Sequence, residues 1–224
     1  MAAPKDITIE NLNGKWTLDK SLSSPTDPLL ALQGINWVVR KAVGMSNVIL
    51  GIKEYAEVDE STGEPVIRFE ISQNTTSGLP GTTESRWVDG NERKQEDHIF
   101  GKTAVSMNWI NESKNVKGKI FPVVDSKTIL VYDDNIPKFL AGEVNDDNSP
   151  SDGFLVERPQ KDVGKEGDGL WLQLFIRNLD GKWTAEQTWG FENIAETRRY
   201  VRRVVVSNSK GEYRVARLVY AFEG

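Results

Sequence analysis

The backbone period changes twice between residues 13 and 50, and that order of periods restricts the fold more than any other feature. Gly14-x-Trp16-x-Leu18 comes first, with Trp16 and Leu18 alternating against Lys15, Thr17 and Asp19. That is the pattern of a short strand with one dry and one wet face. A helical spacing follows. Ser24 or Thr26 supplies a cap, and Pro28 suits the first turn, where its missing amide hydrogen would be unbonded anyway. Leu29, Leu30 and Leu32 give that helix an apolar face, and Gly34 breaks it. Ile35, Val38, Val39 and Ala42 outline a second helix that ends at Gly44. From Asn47 the period is two almost to the C-terminus. A strand, a compact helix pair and then strands predict an all-β fold. We expect a single antiparallel β-barrel of about ten strands, with a helix-turn-helix lid near residues 25–44 and Trp16 filling one end. Such a barrel encloses a cavity, and function is expected there.

The strands are spaced for hairpins. Val48–Tyr55 and Val66–Gln73 flank a polar turn over 59–64. Thr82–Val88 meets Glu92–Phe100 through Asp89-Gly90, and Thr103–Ile110 follows Gly101-Lys102. Lys117–Val123 and Thr128–Tyr132 read as shorter strands around Pro122. Leu170–Arg177, Lys182–Phe191, Arg198–Ser207 and Glu212–Phe222 complete the set, with Asp180-Gly181 and Lys210-Gly211 at two of the turns. Up-and-down closure fits this spacing because it removes exposed strand edges. Residues 133–168 interrupt it with clusters of turn formers and charge, and are expected to form a long flexible loop or mobile lid. Within them Ile136–Val144 is a short-helix candidate that rests on Phe139 and Leu140 alone.

Composition narrows the function classes. A length of 224 residues fits one lipocalin-like domain over 1–224, since all-β barrels of this size are commonly single units. A net charge of −5 argues against a nucleic-acid partner, which calls for a basic face. The absence of cysteine removes disulfides, thiol catalysis and thiolate metal sites, and a single histidine makes a zinc centre improbable. The N-terminus lacks the apolar core of a secretory signal, and nothing approaches a membrane-spanning run. The expectation is a cytoplasmic protein, in which the Asn74-Thr-Thr and Asn111-Glu-Ser glycosylation patterns are coincidental. Nothing in the sequence specifies an oligomeric state.

Gly14-x-Trp16-x-Leu18, the Ser-rich link, Asp27…Leu30…Leu32-x-Gly34 and Arg40-Lys41 resemble the opening of the intracellular fatty-acid-binding proteins, within the calycin group that includes lipocalins. The resemblance implies a lid between the first and second strands, and its close part covers about a fifth of the chain. Over its whole length the chain looks like small fungal lipocalin-like proteins that share Trp37-x-x-Arg-Lys-Ala, Asp97-His-Ile-Phe-Gly101 and Trp183-Thr-Ala-Glu-Gln-Thr-Trp-Gly-Phe-Glu192. Some proteins of that kind belong to secondary-metabolite pathways, where barrels without cofactors bind, fold, and in some cases cyclise or isomerise an intermediate. One departure stands out. Fatty-acid-binding proteins end with Arg-x-Tyr, both side chains inward, whereas here Arg217-Leu-Val-Tyr220 places the two on opposite faces of a regular strand.

Several residues are candidates for the site. Trp183, Ala185, Gln187, Trp189 and Phe191 share one strand face, which reads as a pocket wall with one amide, or as core filling in which Gln187 satisfies a backbone group. His98 is the natural starting point for proton transfer near neutral pH, although a structural role is the commoner one. Arg217 lies with Val215 and Val219, so it reads either as an inward guanidinium for a carboxylate, enolate or phenolate, or as half of an internal salt bridge with Glu70 or Glu84. Trp37, Trp87, Phe100, Trp109 and Tyr220 complete the expected ligand-binding set. Arg40 and Lys41 complement the end of the second helix or draw an anion to a portal, and alternation spreads Arg198–Arg203 over both faces, mostly in surface cross-strand pairs.

The leading expectation is binding of a hydrophobic, partly polar small molecule in an aromatic-lined cavity. The alternative is a cofactor-independent isomerase or cyclase, with a pericyclase such as a Diels–Alderase as one form, acting on a polyketide or terpenoid-like intermediate. In that case His98, Gln187 and Arg217 are the catalytic candidates. Neither reading calls for a metal or cofactor.

Overall fold

A computed structural model of the protein describes every residue except 61, 77–80, 129 and 158–168. Strand β1 (Gly14–Leu18) leads into helices α1 (Asp27–Leu32) and α2 (Trp37–Met45). Strands β2 (Val48–Val58), β3 (Pro65–Thr75), β4 (Thr82–Trp87), β5 (Arg93–Asp97) and β6 (Gly101–Ile110) follow as antiparallel neighbours, except that β4 and β5 share no ladder. After an excursion from the sheet, β9 (Trp171–Asn178), β10 (Trp183–Ile194), β11 (Thr197–Asn208) and β12 (Tyr213–Phe222) continue it. The described sheet has ten strands in the order β4-β3-β2-β1-β12-β11-β10-β9-β6-β5. The first strand pairs with both β2 and β12, so the chain ends close the barrel on that side. Opposite, β4 and β5 are the two edges of the described sheet and face each other without a ladder, and just beyond β4 a bridge joins Val88 to Met107 of β6.

One end of the barrel is plugged as the sequence predicted. Trp16 is fully buried, with ring centroids of Phe222 at 4.8 Å and Tyr200 at 5.1 Å, and its indole N–H donates to the Leu12 carbonyl at 2.9 Å. Ile7, Ile9 and Leu12 of the N-terminal segment bury themselves across the same end. Leu12 N–H donates to the Glu54 carboxyl at 2.8 Å, which ties this segment to β2.

The two lid helices are anchored unequally. Thr26 precedes α1, Pro28 sits in its first turn, and Leu29 is buried against β11 and β12. Asn36 caps α2, its side chain accepting from Val39 N–H at 3.1 Å. No residue of α2 is buried, and Trp37, Val38 and Met45 are exposed.

Residues 112–157 differ from expectation. Lys117–Val123 is not one strand; β7 (Ser113–Val116) and β8 (Lys119–Pro122) form a separate hairpin that turns through Lys117 and Gly118, both at positive φ. Among the described residues no strand forms over 128–132, and the Glu186 side chain holds 126–128, where that stretch begins. Its fully buried carboxylate accepts from Lys127 N–H at 3.0 Å, Thr128 N–H at 3.1 Å, Ser126 Oγ at 2.9 Å and Gln173 Nε2 at 2.7 Å. The helix candidate forms as α3 (Asn135–Ala141), with Ile136, Phe139 and Leu140 buried against the outer face of β11. Residues 133–157 therefore pack as a second layer rather than a free loop, and the rest of the expected loop, 158–168, lies outside the described residues. Gly190 makes room for this layer: a Cβ there would sit 2.8 Å from both Phe154 and Trp171. The layer is pinned by Arg203, which is fully buried and donates to Glu192 at 2.6 Å, to the Val144 carbonyl at 2.6 Å and to Ser151 at 3.0 Å.

Candidate functional site

Alternation decides which side chains enter the barrel. On β10, Trp183, Ala185, Gln187, Trp189 and Phe191 point inward, as the sequence indicated. Pairing carries that parity to Tyr200, Arg202, Val204 and Val206 on β11, and from there to Leu218 and Tyr220 on β12. These strands, α1 and the inner faces of β4 and β5 surround a cavity in which the centre of a water-sized sphere can reach about 170 Å³. That is room for on the order of ten waters. Its wall is apolar where Leu29, Leu174, Trp183, Val204 and Leu218 contribute, and polar where Arg202, Gln187, Arg86, Glu84 and Gln95 do.

Arg202 is the centre of this site. Its guanidinium lies 3.8 Å from the centroid of the Trp189 ring, and its Nε donates to the Tyr200 hydroxyl at 2.8 Å. The residue is 7 % exposed, and its Nη2 is buried with no hydrogen-bond partner among the described residues. A desolvated cation over an indole gains about 2 kcal/mol, but an unmet buried donor costs about 1–3 kcal/mol. Arg202 lines the cavity, so a ligand oxygen that reached Nη2 on a small shift of the guanidinium would recover that cost. Burial pushes the Tyr200 and Tyr220 phenols upward, so both stay protonated and neutral beside the cation.

A second buried arginine faces the same space. Arg86 is 2 % exposed, donates to Glu84 at 2.8 Å, and hydrogen-bonds Gln95 across the seam between β4 and β5. Burial lowers its pKa from the ordinary arginine value; Glu84 opposes that shift and the like charge of Arg202 adds to it.

Of the residues picked from sequence, Phe100, Trp183, Gln187 and Tyr220 line the cavity. Trp183 meets Phe100 edge-on at 6.0 Å between centroids, and Gln187 accepts from the Trp189 indole N–H at 2.8 Å. Trp189 itself is fully buried beneath Arg202, as a platform rather than an exposed wall.

The other sequence candidates lie elsewhere. His98 is exposed in the turn after β5, because Asp97 Oδ1 accepts from Ile99 N–H at 2.8 Å and Phe100 N–H at 2.7 Å and so ends the strand early. Arg217 projects from the outer face. Its neighbours Val215 and Val219 are apolar because the second layer covers them, not because they face the lumen. It reaches Glu192 at 3.5 Å, so Glu70 and Glu84 are not its partners. Trp37 is 63 % exposed on α2. Trp87 stands outside the barrel between the Arg68 and Arg93 guanidinia, each 4.7 Å from its ring. Trp109 packs on the main core beyond the cavity lining.

Alternation divides the Arg198–Arg203 run between two faces and predicts that most of its arginines lie in surface pairs, but Arg202 and Arg203 are both buried. The Tyr200-x-Arg202 spacing was the available signal, since period two puts that pair on one face.

No family model matches the chain. Two curated fungal proteins are similar over its whole length. One is the pericyclase pydY of an Acremonium species, 26% identical over 224 residues, covering 100% of this chain and 98% of that one. The other is the probable pericyclase scpY of Mollisia scopiformis, 26% identical over 223 residues, covering 100% and 95%. Among solved structures, a Schistosoma mansoni fatty acid binding protein in complex with arachidonic acid matches with a TM-score of 0.50 at 9% identity, covering 97% of this chain and 99% of that one. The architecture is thus a calycin-like, nearly closed β-barrel with a short helical segment after its first strand.

Proposed function

We propose that the barrel binds a hydrophobic, partly polar small molecule, with its apolar body against Trp183, Val204 and Leu218 and one oxygen on the Arg202 guanidinium. The observation that carries this is the buried, half-satisfied guanidinium in the wall of a cavity that is part apolar and part polar. Burial of ligand surface would supply affinity at about 25 cal/mol per Å², and Arg202, Gln187 and Tyr220 would set orientation.

A second reading is favoured by the names of the two full-length relatives, both called pericyclases. In it the bound molecule is a polyene that closes a ring in place. A [4+2] closure exchanges two π bonds for two σ bonds, with no leaving group, external proton or oxidant. The chain would then need to hold the two reacting ends in contact, which can lower a barrier by several kcal/mol. Arg202 hydrogen-bonded to a carbonyl conjugated with one alkene would withdraw charge from it and strengthen as charge develops. Gln187, anchored by Trp189, would orient a second polar group.

The test is native mass spectrometry of protein purified from its own source, followed by extraction of any bound compound and its incubation with fresh protein. A bound hydrophobic compound supports the first reading. A shift in chromatographic retention at unchanged mass, absent without protein, supports the second. Bare protein that also fails to take up any apolar probe would overturn both.

A further inference from the structure

The seam where the sheet fails to close carries a feature that ligand binding in the main cavity does not use. Between β4 and β5 lies a slot in which the centre of a water-sized sphere reaches about 260 Å³. Thr83, Ser85 and Trp87 reach it from the outer face of β4, while Arg86 and Gln95 reach it from the inner face. The slot therefore passes through the wall. Arg86 and Gln95 also line the main cavity, so their mutual hydrogen bond is the partition between the two spaces.

The chemistry of the slot is one-sided. Among the described residues its lining holds three cations, Arg86, Arg93 and Lys94, the polar side chains of Thr83, Ser85, Asn91 and Gln95, and no carboxylate. Glu84 pairs with Arg86, and both Asp89 and Asp59 pair with Arg93, but none of these three carboxylates is among the lining residues, and Lys94 makes no ion pair among the described residues. Arg86 Nε is buried without a hydrogen-bond partner among the described residues, on a side chain only 2 % exposed. A donor-rich, cationic cleft with an unmet buried donor is complementary to an anion.

We propose that the seam slot is an anion subsite continuous with the main cavity, and that the ligand is a molecule whose apolar body fills the barrel while a carboxylate or enolate end enters the slot at Arg86, Arg93 and Lys94. This rests on the cavity-binding reading above and extends it. Arg202 takes an oxygen inside the barrel, and the seam takes the charge. Entry of the anion breaks the Arg86–Gln95 bond and replaces it with charge-assisted ones, so the partition opens only to a ligand able to supply them.

Displacement of the neutral dye Nile red by decanoate and by methyl decanoate at pH 7 tests this, because the two probes share an apolar chain and a carbonyl and differ in charge. The proposal expects decanoate to bind at least about tenfold more tightly than the ester. Arg86→Gln should bring the ratio close to one. Lys94 is exposed and its replacement is expected to leave the fold intact, so Lys94→Gln should lower the ratio about threefold even if the buried variant fails to fold. Arg202→Gln should weaken both probes and preserve the ratio. An equal affinity of wild type for the two probes would overturn the subsite while leaving the cavity reading intact. So would a preference that survives Lys94→Gln undiminished, or one abolished by Arg202→Gln. Failure of both probes to displace the dye would sink the cavity reading and the subsite with it.

Discussion

A single unpaired nitrogen, Arg202 Nη2, does more to define the candidate site than any of the seven tryptophans. The indole of Trp189 and the hydroxyl of Tyr200 hold the guanidinium in place and leave one edge unmet. Arg202→Gln keeps part of the side chain but removes the charge and its fork. Affinity for an oxygen-bearing ligand is expected to fall about ten- to a hundredfold, the worth of a hydrogen bond to a charged group, as read by dye displacement or calorimetry. Under the pericyclase reading, turnover should fall with it. His98→Gln serves as the contrast. The side chain is exposed and outside the cavity, so ligand affinity and turnover should both remain within about twofold of wild type. A larger loss in either would show that the turn after β5 closes over bound ligand.

At the scale of elements, two features carry predictions. The first is the lid. Leu29 fastens α1 to β11 and β12, whereas α2 buries none of its residues. Its amides should exchange with deuterium faster than those of α1, and added ligand should protect both, since Leu30 and Val43 also face the cavity. Equal protection of α1 and α2 without ligand would contradict this. The second is the outer layer. Glu186, itself fully buried, holds residues 126–128 through part-buried backbone and side-chain donors and also accepts from the buried Gln173 amide. Glu186→Ala should destabilise the protein by about 2–4 kcal/mol in urea unfolding, because one buried and several part-buried donors lose a charged acceptor together. Strand and lid positions were legible in the sequence, since alternation and helical spacing are local. The outer layer was not. Phe139 and Leu140 announce a buried surface, but nothing local says that it lies on the back of β11.

At the scale of the molecule, the plugged end supplies a pH dependence. Burial pushes the Glu54 carboxyl from its ordinary 4.5 up to about 8, against the Leu12 N–H, which favours the charged form. The folded state thus binds a proton that the unfolded chain has released between those values, and stability must fall as pH rises through that window. Glu157, also raised by burial, acts with the same sign. Melting temperature should therefore decline from about pH 5 to pH 9. Glu54→Gln should flatten the decline and melt a few degrees above wild type at pH 9, by the size scaling for a domain of this length. A wild-type profile that rises over the same range would contradict the assignment.

The sequence by itself determined the barrel, its Trp16 plug, the helix pair after β1 and the inward row from Trp183 to Phe191, because each is written in a period that a few neighbouring residues can express. The tertiary structure alone decided the site. Period two states that Arg202 and Arg203 face opposite ways, but not which way is in, and both sides of β11 are buried here, one by the lumen and one by the outer layer. The same ambiguity put Arg217 inside on the strength of its apolar neighbours, when a second covering layer was the cause. Burial is a property of what packs against a strand, and residues distant in sequence supply it.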